Sequence, residues 1–464
     1  MMFNRFSLLQ RIALPVLCAL SMTGCASLPD SAAVIARHVG QQARFETARG
    51  PLSVKQSAAL VEKLKGRSGD LDILDKQIAL EQAISDSPLL LGNKATLLQD
   101  GAETYPAMLA AIRGARDHIN LESYIIEDDE IGRQFTDLLL EQQARGVQVN
   151  IIYDSVGGIS TPKAFFDRMS ERGIAVLEFN PINPFVSMTP WLINNRDHRK
   201  LLVVDGRIAF IGGINISSVY SGGSVSSQSS KGGQARPWRD TDLQLEGPVV
   251  AELQKLFVST WAKQRGKPLA AREYFPPLKA EGDAIVRAIG STPDDPFSLI
   301  YLTLMSAIGN AEKHIYLTNA YFVPDPQFLK ALTDAAARGV DVKLVLPSHS
   351  DSALVFHAGR SHYSQLLSGG VRLYEREGAV LHSKTAVIDG VWSTVGSSNL
   401  DWRSFSDNDE VNAVVLGRVF AQQMLTAFAS DVKASQAIDP QKWAQRPFTF
   451  RVKEWASRIW ERLL

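Results

Sequence analysis

The feature that most constrains this 464-residue chain is a motif that occurs twice. The first copy lies in NNRDHRKLLVVDGRIAFIGGIN, residues 194–215, and the second in LHSKTAVIDGVWSTVGSSN, residues 381–399. Both copies fit H-x-K-x4-D-x6-G-[GS]-x-N without an insertion. Because a pattern of this length rarely repeats by chance, the two copies predict an internal duplication.

The segments before each motif repeat the same order of elements. AIRGARDHINLESYII and GRQFTDLLLEQQARGVQVNIIYD predict a helix, a strand, a second helix and a buried strand. SAIGNAEKHIYLTNAYFVP and PQFLKALTDAAARGVDVKLVLP predict the same series after residue 297. Alternating helices and strands therefore predict an α/β fold in which two duplicated domains each form a sheet covered by helices.

Changes in composition and the positions of proline and glycine suggest where these domains begin and end. We expect a helical N-terminal extension, a first domain, a proline-rich linker, a second domain and an amphipathic C-terminal helix. Their predicted bounds are 25–92, 93–265, 266–296, 297–440 and 441–464. A Ser/Gly-rich loop at 221–236 is either a surface insertion or a lid over a site.

The C-terminal sequence RVKEWASRIWERLL has helical periodicity. Its large apolar residues share one face, namely Val452, Trp455, Ile459, Trp460 and Leu463. The pattern suits an interfacial helix near lipid head groups, and it equally suits a helix docked on the domain.

The N-terminus has the features of an export signal. Arg5 and Arg11 precede the apolar run IALPVLCALSM, which is too short to span a bilayer comfortably. The small residues before Cys25 resemble the lipobox of bacterial lipoproteins, which implies cleavage after residue 24 and acylation of Cys25. We expect a chain anchored at a bacterial membrane and facing the periplasm, and the resemblance to sorted lipoproteins implies that Ala26, in place of Asp, favours the outer membrane. An ordinary signal peptide is the alternative.

Charge and cysteine content narrow the class of protein further. Lys plus Arg equals Asp plus Glu, 49 against 49, which argues against a nucleic-acid partner. The second cysteine of the chain, Cys18, lies inside the apolar run, so the predicted mature chain has no partner for a disulfide of Cys25.

Each motif predicts a β-hairpin, because an Asp-Gly pair separates two apolar runs. Residues i and i+2 of a strand share a face, so His198 projects with Lys200, and His382 projects with Lys384. The motif aspartates, Asp205 and Asp389, have the opposite parity and fall at the turn. Parity favours a role in shaping the hairpin or in a structural ion pair.

Together the motifs predict one shared pocket. Its two lysines, with Asn215 and Asn399, match the anionic oxygens of a phosphate. One histidine can attack phosphorus while the other protonates the leaving alkoxide. Since no carboxylate or Cys/His cluster indicates a metal, we expect no cofactor.

The paired pattern resembles the phospholipase D superfamily. NNRDHRKLLVVDG, AYFVP, ARGVDVKLVLP, GGVRLYE and LHSKTAVIDG are similar to segments of bacterial cardiolipin synthases. The resemblance implies two α/β/α domains related by a pseudo-twofold axis around one active site. It also implies a phosphohistidine intermediate, with His198 as nucleophile, His382 as general acid, and Lys200, Lys384, Asn215 and Asn399 binding phosphate. By the same resemblance, Asp205 and Asp389 are grouped with the catalytic residues.

Acidic residues after each motif complete the expected site. In similar enzymes an acid at this point orients a histidine, and the resemblance assigns that role to Asp240 and Glu410. Exposed loop acids are the alternative, as are the neighbours Asp242 and Asp409 in the same role.

The expected function is phosphatidyl transfer between phospholipids such as phosphatidylglycerol. Three alternatives stay open: a hydrolytic phospholipase D that releases phosphatidic acid, a nuclease, and a non-catalytic lipid-binding lipoprotein. Neutral charge and the membrane signal argue against the nuclease, and two complete motifs argue against the non-catalytic protein.

Overall fold

A computed structural model describes residues 28–38, 44–68, 87–182, 194–222 and 236–464. The predicted signal peptide, Cys25, residues 69–86 of the predicted helical extension and most of the 221–236 loop lie outside these residues. Among the helices of the described ranges, none has the length and apolar content that a bilayer span requires.

The first half of the chain forms a seven-stranded mixed sheet. Its strands are rich in Val, Ile and Leu and are buried because helices cover the sheet. The first three strands of the order below are parallel, and every later pair is antiparallel. From edge to edge the strands are Ala175–Phe179, Gln148–Asp154, His118–Ser123, Lys200–Val204, Ile208–Gly212, Thr241–Glu246 and Leu89–Gln99.

The second half repeats this order strand for strand. Again three parallel strands are followed by antiparallel pairs. The strands are Arg372–Arg376, Asp341–Pro347, His314–Asn319, Lys384–Ile388, Trp392–Gly396, Asn408–Leu416 and Ala284–Ser291. The repeat confirms the predicted α/β fold with two duplicated domains.

The two sheets are joined edge to edge. Leu89–Gln99 pairs antiparallel with Ala284–Ser291, which relates the halves by a pseudo-twofold axis. The linker prediction of 266–296 is therefore too long, because 284–291 is a strand of the second sheet. Prolines lie on both sides of this strand, and their pattern favours a loop over the whole stretch.

Helices cover both sheets, and the core is continuous between the halves. One apolar cluster takes residues from both sheets and from the helices Val250–Lys263 and Arg418–Lys433. The other helices of the first half are Asp100–Gly114, Glu130–Ala144 and Lys163–Glu171. Those of the second half are Leu299–Asn310, Pro326–Ala337, Ala353–Arg360, Tyr363–Ser368 and Trp402–Ser406.

The N-terminal extension is only partly helical. The helices Ser31–His38 and Val54–Ser68 flank two short strands, Phe45–Thr47 and Gly50–Pro51. Phe45 is fully buried, and its strand pairs with Leu89–Gln99. The extension therefore continues the sheet, which the predicted all-helical segment had missed.

The C-terminal segment forms the helices Pro440–Ala444 and Phe448–Ser457 and then a 3-10 turn, Arg458–Leu463. Its short strand Ser435–Ala437 pairs with Arg372–Arg376 at the edge of the second sheet. The C-terminal helix lies against the helix Ala353–Arg360.

Candidate active site

Both motifs form the predicted hairpins, with a three-residue turn between the strands. Asp205 and Gly206 have φ of 53° and 61°, and Asp389 and Gly390 have φ of 52° and 65°. Aspartate and glycine are the residue types that adopt this left-handed region most readily, and this explains the Asp-Gly pair at each turn.

The motif aspartates hold backbone rather than substrate. The Asp205 carboxylate accepts the N–H groups of residues 116–118, at 2.8–3.2 Å. Asp389 accepts those of residues 312–314 at 2.8–2.9 Å. Neither carboxylate lines the cavity described below. These contacts contradict the grouping of Asp205 and Asp389 with the catalytic residues. Each carboxylate instead fixes its hairpin to the start of a neighbouring strand.

Each histidine is reached by the opposite half of the protein. Arg196–Asp197 pairs in parallel with the start of strand Asn408–Leu416, and the His198 N–H donates to the carbonyl of Asp409 at 2.9 Å. This places Glu410 beside the ring, with its two oxygens 3.0 and 3.1 Å from Nδ1 of His198.

The second motif mirrors that crossing. Val380–Leu381 pairs with Trp238–Arg239, and the His382 N–H donates to the carbonyl of Arg239 at 2.7 Å. Asp240 Oδ2 then lies 2.7 Å from Nδ1 of His382. Each motif therefore depends on a carboxylate from the other half.

Both carboxylates are fully buried, which rules out the alternative of exposed loop acids. Their neighbours have other partners: Asp242 accepts the N–H of Ile214 at 3.2 Å, and Asp409 lies 3.7 Å from Nη2 of Arg199. In each pair, the structure brings the residue predicted by resemblance, Asp240 or Glu410, to a histidine.

The lysines lie directly behind the histidine backbone. Lys200 Nζ donates to the His198 carbonyl at 2.6 Å, and Lys384 Nζ donates to the His382 carbonyl. Burial lowers the pKa of Lys200 to about 7 and that of Lys384 to about 8. Both ammonium groups are therefore poised to gain stability from a bound anion.

Burial and the two lysines lower the pKa of His198 to about 4, against the opposing effect of Glu410. For Glu410, burial alone would raise the pKa, but the His198 ring, Lys200 and the Ser397 hydroxyl lower it to about 2. The pair is thus a neutral imidazole beside an ionised carboxylate. A ring that donates Nδ1–H to Glu410 has its lone pair on Nε2.

The pKa values of the second pair, His382 and Asp240, are shifted in the same directions as those of His198 and Glu410. Burial and Lys384 lower the pKa of His382. Burial alone would raise the pKa of Asp240, but the larger opposing effect of His382 and Lys384 leaves that pKa below its usual value. The carboxylate therefore stays ionised. The tautomer at His382 is set in the same way as at His198.

The motif asparagines line the same cavity as the histidines. Asn215 Oδ1 accepts the N–H of Ile125 at 3.1 Å, and its Nδ2 donates to the Tyr220 hydroxyl at 3.0 Å. Asn399 Oδ1 is buried and has no hydrogen-bond partner among the described residues. The structure therefore holds Asn215 firmly and leaves the amide of Asn399 with unused hydrogen-bonding capacity.

A cavity of about 350 Å³ contains both histidines. Sequence reasoning missed most of its other lining residues, because closeness to a motif in sequence does not show which side chains face the cavity. Burial raises the pKa of one of them, Asp401, to about 7. The missed side chains include Tyr124, Arg196, Tyr220, Trp238, Tyr321, Asp351, Asp401 and Arg403. Two of them had a sequence signal, since Tyr321 lies in the family-like segment AYFVP and Trp238 is two residues before Asp240.

Aromatic rings surround the histidines. Tyr124 lies 5.2 Å from His198 between ring centroids, and Trp238 lies 5.1 Å from His382. Within the described ranges, no three His, Cys, Asp or Glu side chains are grouped as metal ligands would be.

Comparison with known proteins agrees with this geometry. The family model described as "Cardiolipin synthase, PLD-like domain" matches residues 108–220 and 304–432, one match in each half. The cardiolipin synthase of Geobacillus sp. (strain WCH70) is 35% identical over 390 residues, which cover 83% of this chain and 76% of the relative. That of Alkalihalophilus pseudofirmus is 34% identical over 406 residues, or 87% and 78% of the two chains. This chain belongs to the cardiolipin synthase family.

Solved structures show the same fold at low sequence identity. Phosphatidylserine synthase from Haemophilus influenzae Rd KW20 superposes with a TM-score of 0.58 at 14% identity, covering 83% of this chain and 98% of that one. Polyphosphate kinase from Porphyromonas gingivalis gives 0.50 at 13% identity, covering 78% and 50%. Family membership and the paired motifs identify the enzyme as a phosphatidyltransferase of the phospholipase D superfamily.

Proposed function

We propose that the enzyme transfers a phosphatidyl group from one phosphatidylglycerol to a hydroxyl of a second, giving cardiolipin and glycerol. One observation carries the proposal. His198 and His382 line one cavity, and each has its Nδ1 on a buried carboxylate of the opposite half. This arrangement presents two Nε2 atoms to one phosphate, as a double displacement at phosphorus requires.

In the first step, Nε2 of His198 attacks phosphorus, and the bond from phosphorus to the glycerol oxygen breaks. His382 gives its Nε2 proton to that oxygen, and glycerol leaves. Lys200 and Lys384 offset the charge of the phosphoryl oxygens, because their buried ammonium groups need an anionic partner.

In the second step, the hydroxyl of the acceptor lipid gives its proton to His382. Its oxygen attacks phosphorus, and the bond from phosphorus to His198 breaks. His382 alternates between acid and base, so the same proton site serves both steps. The anionic phosphate offsets the effect of burial on His382 and makes its protonated form accessible.

A third cation favours a charged acceptor over water. Arg403 lines the cavity. Among the described residues its guanidinium makes no ion pair within 4 Å, and its charge opposes the rise that burial causes in the pKa of Asp401 and of Asp407. Arg196, in contrast, lies 3.6 Å from Asp154. We assign Arg403 to the phosphate of the acceptor lipid, which water does not carry.

Product analysis tests transfer against hydrolysis. Purified enzyme is incubated with phosphatidylglycerol vesicles in H₂¹⁸O, and lipids are measured by mass spectrometry. We expect cardiolipin and glycerol in equal amounts and no ¹⁸O in the lipid product. Phosphatidic acid carrying ¹⁸O, without cardiolipin, would establish a hydrolase. Salt-sensitive digestion of DNA would revive the nuclease, and no turnover would favour the non-catalytic lipoprotein.

We propose further that the chain is exported and anchored through Cys25. The Arg-flanked apolar run and the small residues before Cys25 support this assignment. Mass spectrometry of the mature N-terminal peptide checks it, with a diacylated cysteine as the expected species and Cys25→Ala as the control. Fractionation of inner and outer membranes then tests the role of Ala26.

A further inference from the structure

The C-terminal helix turns its apolar side chains outward. Seven of the fourteen exposed large hydrophobic side chains of the described residues lie between positions 448 and 463. Two of them are tryptophans, with Trp455 69% exposed and Trp460 52% exposed. All five residues of the predicted apolar face are exposed, so this helix does not dock on the domain through that face.

Polar residues attach the helix instead. Glu461 lies 3.1 Å from Nε2 of His362 of the second domain, and Glu454 is buried and pairs with Arg446 of the same C-terminal segment at 2.7 Å. The Arg462 guanidinium lies over the Trp402 ring at 5.6 Å. An amphipathic helix on a water-facing surface has the reverse arrangement, with its apolar side inward. The outer face is therefore built for an apolar environment.

This surface continues into the active-site cavity. Leu463 and Leu464 line the cavity that contains His198 and His382. The apolar face of the helix, defined here as the large hydrophobic residues of 448–463, consequently borders the active-site cavity.

The charge around this face suits an anionic surface. Residues 441–464 contain six Lys and Arg and two Glu. The glutamates pair with Arg446 and Arg458 of the same segment, so the other four basic residues have no acidic partner within the segment. Exposed basic residues beside exposed tryptophans are the combination that binds the head-group region of anionic bilayers.

We propose that the apolar face of 448–463 docks on an anionic phospholipid bilayer and seats the cavity opening at the lipid head groups. The inference rests on the proposed function, because the substrate is then a lipid of that same bilayer. Continuity with the cavity and the excess of basic residues favour a bilayer over a second copy of the chain or the apolar run near residue 20.

The test compares two double variants of the full-length chain, both carrying Cys25→Ser so that no acyl anchor dominates binding. Trp455→Asp/Trp460→Asp changes the apolar face. Phe275→Asp/Val419→Asp is the matched control, because its residues are 50% and 82% exposed and lie outside the C-terminal segment. Trp455→Phe/Trp460→Phe serves as the conservative variant.

Two measurements are made on each variant. Flotation with vesicles of phosphatidylglycerol and phosphatidylcholine reports docking, and kcat/KM is measured on vesicles and on monomeric short-chain phosphatidylglycerol. For Trp455→Asp/Trp460→Asp we expect at least about a tenfold loss of flotation and of kcat/KM on vesicles. Its kcat/KM on the monomeric lipid should stay within about twofold, and both other variants should match the parent protein.

Unchanged flotation overturns the proposal. If sedimentation then shows that the parent protein is a dimer and that Trp455→Asp/Trp460→Asp is a monomer, the face joins two copies of the chain. If only the melting temperature falls, another segment of the chain covers the face. Failure of the proposed function is distinct, because the parent protein would then turn over neither lipid while flotation still reports docking.

Discussion

His198 meets both oxygens of Glu410, whereas the Nδ1 of His382 lies near three groups, Asp240, Lys384 and Tyr220. The two motifs share backbone geometry, so this difference comes from the side chains that the opposite half supplies. A ring held by one ionised carboxylate is fixed as a neutral nucleophile. A ring with an ammonium and a hydroxyl nearby suits repeated proton exchange.

The glycine or serine of each motif tail explains part of this difference. Ser397 donates its hydroxyl to Glu410 and helps to hold that carboxylate. Gly213 occupies the corresponding position in the first motif, where a Cβ would clash with the Asp240 carboxylate. The residue type at the [GS] position of the motif, Gly213 or Ser397, therefore fits the carboxylate that the opposite half places beside it.

The largest expected effect is the loss of kcat when either catalytic histidine is replaced, and a second substrate distinguishes their roles. We expect His198→Ala and His382→Ala each to lower kcat on phosphatidylglycerol by at least about 10³-fold, since each removes a reacting group. A p-nitrophenyl phosphodiester needs no protonation of its leaving group. His382→Ala should therefore still release a burst of nitrophenol, and His198→Ala should not.

The control for both variants is His349→Ala, at an exposed histidine outside the motifs. A burst in His198→Ala together with none in His382→Ala would reverse the assignment of nucleophile and acid. Substantial lipid turnover in either variant would refute the two-histidine mechanism.

The carboxylates should show the next largest effect. We expect Glu410→Gln and Asp240→Asn each to lower kcat by about 10²- to 10⁴-fold, because an amide no longer fixes the tautomer. Only Asp240→Asn should be largely rescued by the p-nitrophenyl substrate. The control is Glu246→Gln, because Glu246 ends the strand Thr241–Glu246 that begins directly after Asp240. Equal rescue of both variants would show that the halves do not divide the roles.

The lysines predict a pH dependence of kcat/KM. Each must be protonated to bind phosphate, and the pKa values are lowered to about 7 for Lys200 and about 8 for Lys384. Charge is lost as pH rises, so the lysines add a fall in kcat/KM above pH about 7, steeper above about 8. This fall follows a decline that begins at lower pH, because burial lowers the pKa of His382 and the free enzyme then loses the proton that His382 gives. On the acid side it should fall only near the His198 pKa of about 4.

Stopped assays on monomeric short-chain phosphatidylglycerol give this profile. The alkaline fall should be weaker in kcat, because bound phosphate stabilises both ammonium groups. A kcat/KM that is flat from pH 6 to 9 would mean that the lysines keep ordinary pKa values in the free enzyme.

The smallest effect on chemistry is expected at the turns. Asp205→Asn and Asp389→Asn keep a residue type that tolerates positive φ but lose charged acceptors for three backbone N–H groups. We expect a loss of about 1–3 kcal/mol in unfolding free energy, larger for Asp389 because it is more buried. Chemical denaturation measures it, and kcat of the folded variants should stay within about threefold. A hundredfold loss of kcat would restore a catalytic role.

The sequence by itself determined the duplication, the hairpins and the candidate groups of the site. These features are local: an Asp-Gly pair fixes a turn, and strand parity places Lys200 with His198 whatever the rest of the chain does. Family resemblance added Asp240 and Glu410, without showing which histidine each would reach.

Only the tertiary structure decided the crossed pairing and the lining of the cavity. Glu410 lies 212 residues from His198 in sequence, and short parallel strands between the halves bring them together. The strand 284–291 and the outward apolar face of the C-terminal helix likewise depend on partners distant in sequence. Periodicity shows that a helix has an apolar face, but only the packing of its polar side chains shows which way that face points.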